Sequence, residues 1–173
     1  MCRSGAPMDI EIEIEDERWE ALDLDTRVAQ AAALVLADLG IEPEICTLSV
    51  LACDDVRIME LNADFRDKPT ATNVLSWPAE ERGAAQPGAT PAPPGPDIFG
   101  EIALGDIAIA WETCAREAAE QGKAIENHVT HLLVHAILHL LGYDHIHDED
   151  AALMEQIEIR LLESEGIVNP YGD

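Results

Sequence analysis

The chain sets out with a strict alternation of polar and apolar residues. In Asp9-Ile10-Glu11-Ile12-Glu13-Ile14-Glu15 a period of two puts the isoleucines on one face and the carboxylates on the other, which predicts a half-buried β-strand whose acids form a solvated face. From Thr26 to Leu39 the chain becomes Ala- and Leu-rich, a run of high helix propensity opened by Asp25 or Thr26 and closed by Gly40. Residues Glu44 to Ala52 read as a second strand, with Cys46, Leu48 and Val50 on one face. Cys53-Asp54-Asp55 then caps a short helix to about Ala63, and a loop from Asp64 to Thr72 leads into a strand from Asn73 to Trp77 that Pro78 ends.

Between Ala79 and Asp97 the chain turns to Ala, Gly and Pro, with five of its ten prolines between Pro87 and Pro96, which predicts an extended surface loop. β-type residues resume at Ile98 and run through Gly105-Asp106-Ile107-Ala108-Ile109, as one strand or a bent pair. Helices follow over about Trp111–Gln121, Ile125–Leu141 and Asp148–Glu165, stopped by Gly122, Gly142 and Gly166. The last opens on Asp148, Glu149 and Asp150, which suit a helix N-terminus. No internal repeat is visible. This order of elements predicts an α/β or α+β layer of about four strands covered by about five helices.

With 173 residues, 47% of them hydrophobic, the chain can bury one sizeable core, so a single domain over 1–173 is expected, with residues 1–8 disordered. Its 35 acidic residues against 10 basic ones give a net charge of -25, which repels polyanions in general; a nucleic-acid substrate would have to be gripped locally. No apolar run approaches the roughly 20 residues that cross a bilayer, and Met1 to Pro7 lacks a signal-peptide apolar region, so no membrane partner and a cytoplasmic location are expected. Cys2, Cys46, Cys53 and Cys114 form no C-x-x-C pair and are read as reduced thiols.

The chemistry lies in the histidines. His128, His131, His135 and His139 are spaced by three, four and four and share one helical face. His135 and His139, at i and i+4, can aim two ring nitrogens at one point, and the turn at Gly142 can bring His145 over it. Three imidazoles would hold one zinc or similar divalent ion with a fourth position open to water. His131 and His128 are expected beside the site rather than as ligands. The pattern H-x3-H-x2-G-x2-H is also that of the metzincin peptidases, but their general-base Glu is replaced here by Ala136, which cannot move a proton.

The stretch His135-Ala136-Ile137-Leu138-His139-Leu140-Leu141-Gly142-Tyr143-Asp144-His145 resembles the H-G-x-L-H-L-x-G-Y-D-H signature of the YbeY endoribonucleases, the bacterial rRNA maturation factors. Leu61-Asn62-Ala63-Asp64-Phe65-Arg66, Thr72 to Pro78, Leu104-Gly105-Asp106-Ile107, and Met154-Glu155 with Glu158 resemble further segments of that family, so the likeness runs from about Ile45 to Tyr171. Departures are Ala136 for the usual Gly, Trp77 for Phe, and the longer Pro-rich loop. The resemblance implies a mixed sheet with the metal in a cleft beside it, His135, His139 and His145 as ligands, and Arg66 as an essential residue. Arg66 and His135 are then the expected catalytic residues, Arg66 pairing with a phosphate through its guanidinium fork. Lys68 and Arg57 are candidates for the RNA path, Trp77 is expected in the core rather than on that path, and Asp144 is a candidate for orienting a histidine. The implied function is metal-dependent, single-strand-specific endoribonuclease action in rRNA processing, especially at the small-subunit 3′ end, and in ribosome quality control. Single-stranded rRNA, the small subunit and its assembly factors would be the partners. The alternatives are a non-catalytic ribosome-assembly protein with a structural metal, and a metallopeptidase.

Overall fold

The alternating isoleucines build the edge of a sheet. A computed structural model describes residues 8–80, 86, 88–91, 94–143, 147–168 and 170. Strand β1 (Asp9–Ile14) runs parallel to β2 (Cys46–Cys53), with Ile10 opposite Leu48 and Ile12 opposite Val50. Strand β2 pairs in parallel with β4 (Ile102–Ala110), which pairs antiparallel with β3 (Val74–Pro78), giving a mixed sheet in the order β1-β2-β4-β3. Five α-helices are described: α1 (Leu24–Leu39), α2 (Asp55–Arg66), α3 (Trp111–Glu120), α4 (Ile125–Leu140) and α5 (Asp148–Ser164). The result is the expected single-domain α+β architecture.

The sheet faces are unequal. Leu48, Val50, Ile107 and Ile109 join the main core with Val28 and Leu36 of α1 and Leu133 and Ile137 of α4. On the other face Cys53, Leu75, Ala108 and Ala110 pack against Ile58 of α2 in a smaller cluster. Ten of the 16 residues of α4 are buried, so it is the central helix, and any polar side chain on it needs a partner or a task.

Several boundaries differ from the sequence expectation. Helix α1 starts at Leu24 because a short 3₁₀ turn, Glu17–Leu22, precedes it. That turn buries Trp19, whose indole N–H donates to the Cys53 carbonyl at 2.9 Å, a tertiary bond that local pattern does not announce. Helix α2 runs past Ala63 to Arg66, where Asp67 takes a left-handed conformation (φ 59°) and ends it. The segment from Ile98 is one strand, beginning at Ile102; Ile98 and Phe99 lie exposed in a turn tied by the Asp97 carboxylate. Met8 is buried against the core, which corrects the expected disorder at that position; residues 1–7 lie outside the described residues. Described residues of the 79–97 stretch form neither helix nor strand.

Candidate active site and metal centre

Helix α4 sets His131, His135 and His139 in a row, with ring centroids 6.3 and 5.9 Å apart in succession. The Nδ1 of His135 lies 2.6 Å from Glu158 Oε2 on α5, and the Nδ1 of His139 lies 2.7 Å from the Tyr143 carbonyl oxygen. A carboxylate and a carbonyl only accept, so each Nδ1 donates, and the lone pair of the neutral form of each ring is then on Nε2. With Nδ1 engaged in this way, Nε2 is the ring nitrogen left to ligate a metal ion.

The Tyr143 carbonyl reaches His139 because of how the helix ends. Gly142 adopts φ 104°, its N–H donates to the His139 carbonyl, and the Tyr143 N–H donates to the Leu138 carbonyl. This Schellman turn folds the chain back over the last helical turn, a conformation that favours glycine. His145 and Asp144 lie just beyond it, outside the described residues. Among the described residues no three His, Cys, Asp or Glu side chains are grouped to hold a metal ion.

The other two helix histidines part company. His131 lines the same cleft as His135 and His139, and burial pulls its pKa down to about 4 against the opposing pull of Glu158, so it is neutral. His128 is turned away: its Nε2 lies 2.9 Å from Glu117 Oε1 on α3, an oxygen that also accepts from Asn73 Nδ2. It ties α4 to α3 and to the approach of β3.

Opposite the histidines, α2 delivers Arg66. Its Nη2 donates to the Ser76 carbonyl of β3 at 2.7 Å, and Asn62 Nδ2 pins the following loop through the Thr70 carbonyl at 3.0 Å. Arg66, Lys68, Ser76, His131, His135 and His139 line one cleft of about 620 Å³, and Ala136 is part of its wall. The expected site residues among those described therefore meet in one place. A larger cavity, about 760 Å³, lies on the opposite sheet face, lined by Glu11, Glu13, Glu15 and Asp106, the wrong charge for a phosphodiester. Arg57 and Trp77 line that cavity rather than the histidine cleft. Arg57 instead lies 3.4 Å from Glu15 and 3.6 Å from Glu60, and Trp77 packs edge-on against Phe65.

Sequence reasoning gave Glu158 no role of its own. A signal was present: Glu158 lies in the apolar stripe of α5 with Met154, Leu161 and Leu162, where a solvated acid does not belong.

Fold and cleft define a class: a single-domain α+β protein with imidazoles of one buried helix and an arginine from another facing a common cleft. Comparison with known proteins narrows it. The sequence pattern of the family described as "Endoribonuclease YbeY" matches residues 9–166, and the chain belongs to that family. It is 55% identical over 164 residues to an endoribonuclease YbeY of Ruegeria pomeroyi, covering 95% of this chain and 98% of that one. A homologue of the same description from Cereibacter sphaeroides is 55% identical over 163 residues, covering 94% and 98%. A protein of Thermotoga maritima with a known solution structure shares the fold, with a TM-score of 0.58 at 23% identity over 95% of each chain.

Proposed function

We propose that the whole chain is one metal-dependent, single-strand-specific endoribonuclease domain that processes ribosomal RNA, with the small-subunit 3′ end as its main target and ribosome quality control as a related task. The observation that carries this reading is the pairing, across one cleft, of two imidazoles held in the metal-binding tautomer with an arginine on the other wall. Family membership supplies the reaction class.

The donor set fits a zinc or similar divalent ion. His135 and His139 present Nε2 lone pairs from adjacent turns, and His145 is assigned as the third ligand. When bound, the ion supplies Lewis acidity beside a phosphodiester and lowers the pKa of water. Arg66 holds the phosphate: its anchor to Ser76 uses one of five N–H donors, and a guanidinium fork matches a phosphate with the others. Lys68, at the same wall, receives a neighbouring phosphate. His135 is both ligand and catalytic residue, with its ring held by Glu158. A single strand suits the site because its phosphates and 2′-hydroxyls can enter a cleft that a duplex would bridge. No described helix is long and apolar enough to cross a membrane, and the cytoplasm, with the small ribosomal subunit and its assembly factors as partners, is the proposed setting.

The test incubates zinc-loaded protein with single-stranded rRNA fragments, the matching duplexes and a casein-type peptide. Wild type should cut only the single strands. Arg66→Ala should keep its zinc and lose about 10²- to 10³-fold in cleavage, the effect of removing one group that stabilises transition-state charge. His135→Ala should lose zinc and cleavage together. RNA cleavage that survived in both variants would defeat the assignment, and stoichiometric zinc without any RNA cleavage would return the structural-metal alternative.

A further inference from the structure

We infer that Glu158 is the positioning residue of the metal centre, holding His135 in its ligating tautomer and balancing the charge of the ion through the imidazole ring; the inference rests on the metal reading just given. Glu158 is fully buried, at 0% exposure. A carboxylate sealed from water is costly unless positive charge and hydrogen bonds compensate it, and acids stay in such places when they are paired or have a task. The cleft histidines His131 and His135 face it. Oε2 lies 2.6 Å from His135 Nδ1, the length of a charge-assisted hydrogen bond, while Oε1 lies 3.9 Å from His131 Nε2, beyond hydrogen-bonding reach.

The two proposed ligands of α4 are thus held by unequal acceptors. His139 leans on a neutral carbonyl, whereas His135 leans on an acid. An imidazole backed by a carboxylate is the more basic donor, and its ring cannot rotate without breaking the bond. The carboxylate comes from α5 and both histidines from α4, so the packing of those helices sets the angle at which His135 enters the cleft.

A merely structural Glu158 would act as a tether between α4 and α5, and metal would be indifferent to it. The two roles separate in metal-stripped full-length protein, wild type against Glu158→Gln and Glu158→Leu. Zinc affinity is read by competition with a chromophoric chelator, and melting temperature is read with and without zinc. Glu158→Gln keeps an acceptor but no charge and should bind zinc about 10-fold more weakly, with Glu158→Leu nearer 100-fold, the range seen when such supports are lost. Without zinc, Glu158→Gln should melt no lower than wild type, because it removes a buried charge. With zinc, its upward shift in melting should be smaller than that of wild type.

A tether predicts the opposite: both melting temperatures fall together and zinc affinity stays at the wild-type value, a result that would overturn the assignment. Should Glu158→Leu not fold, Glu158→Gln alone still decides. Wild type without saturable zinc binding would instead refute the metal reading itself, whereas wild-type binding matched by Glu158→Gln would refute only the role given to Glu158.

Discussion

A thiol buried in an apolar core is a poor nucleophile. Burial pushes the Cys53 thiol up to about 12 from an ordinary 9.0 and raises Cys114 further, and Cys46 is equally buried. In a Cys2→Ser background the native protein at pH 8 should resist a thiol-reactive dye and react at these three positions only on unfolding, followed as absorbance against denaturant. The raised value also sets a pH window. Below 9 folded and unfolded chains both keep the Cys53 proton; above it the unfolded chain releases its proton first, so stability falls as pH rises from 9 towards 12. A urea midpoint unchanged between pH 8 and pH 10.5 would contradict this. At the same scale, His135 and His139 were legible because fixed spacing on a helix and a family motif both mark them, whereas Arg66 was marked by the family motif alone. Glu158 was obscure because its meaning depends on α5 lying against α4, a contact that no local pattern encodes.

The order of the nine described strands and α-helices was also legible, since most are bounded by Gly, Pro or a capping acid. The 3₁₀ turn at Glu17–Leu22 escaped because it is short and is fixed by the distant bond of Trp19. Strand β4 contains the most demanding backbone position. The pairing of β2 and β4 shifts register between Thr47 and Leu48, and Gly105 at φ 140° lies so close to β3 that a Cβ would run into the Trp77 carbonyl and press on Leu140. A left-handed φ with no room for a side chain admits glycine alone. Gly105→Ala should cost on the order of 3 kcal/mol, from backbone strain and displaced strands, measured as a lower denaturant midpoint at unchanged slope. Because β3 also supplies Ser76, the carbonyl that anchors Arg66, RNA cleavage should weaken in the same variant.

Over the whole molecule the charge of -25 sets the terms of any encounter with RNA. Among the described residues two cations, Arg66 and Lys68, face the cleft, so few phosphates can be neutralised there. For two phosphates on a single strand the logarithm of affinity should fall against the logarithm of salt with a slope of about -1.4, shallow for a nucleic-acid protein. Fluorescence anisotropy with a catalytically silent His135→Ala chain reads this slope, and a value near -5 would mean a basic track that the cleft does not contain.

The sheet order β1-β2-β4-β3 has an effect on how the molecule comes into being. No neighbouring strands are joined by a tight turn: α1 separates β1 from β2, α2 and β3 separate β2 from β4, and residues 79–101 separate β3 from β4. Each pairing must wait for a remote segment, which slows assembly relative to a helical bundle. During synthesis β1 is made first and stays a lone ribbon, a hazard for sticking to its own kind. Glu11 and Glu13 lie exposed on this strand and put like charge on neighbouring copies, which opposes such pairing until β2 arrives.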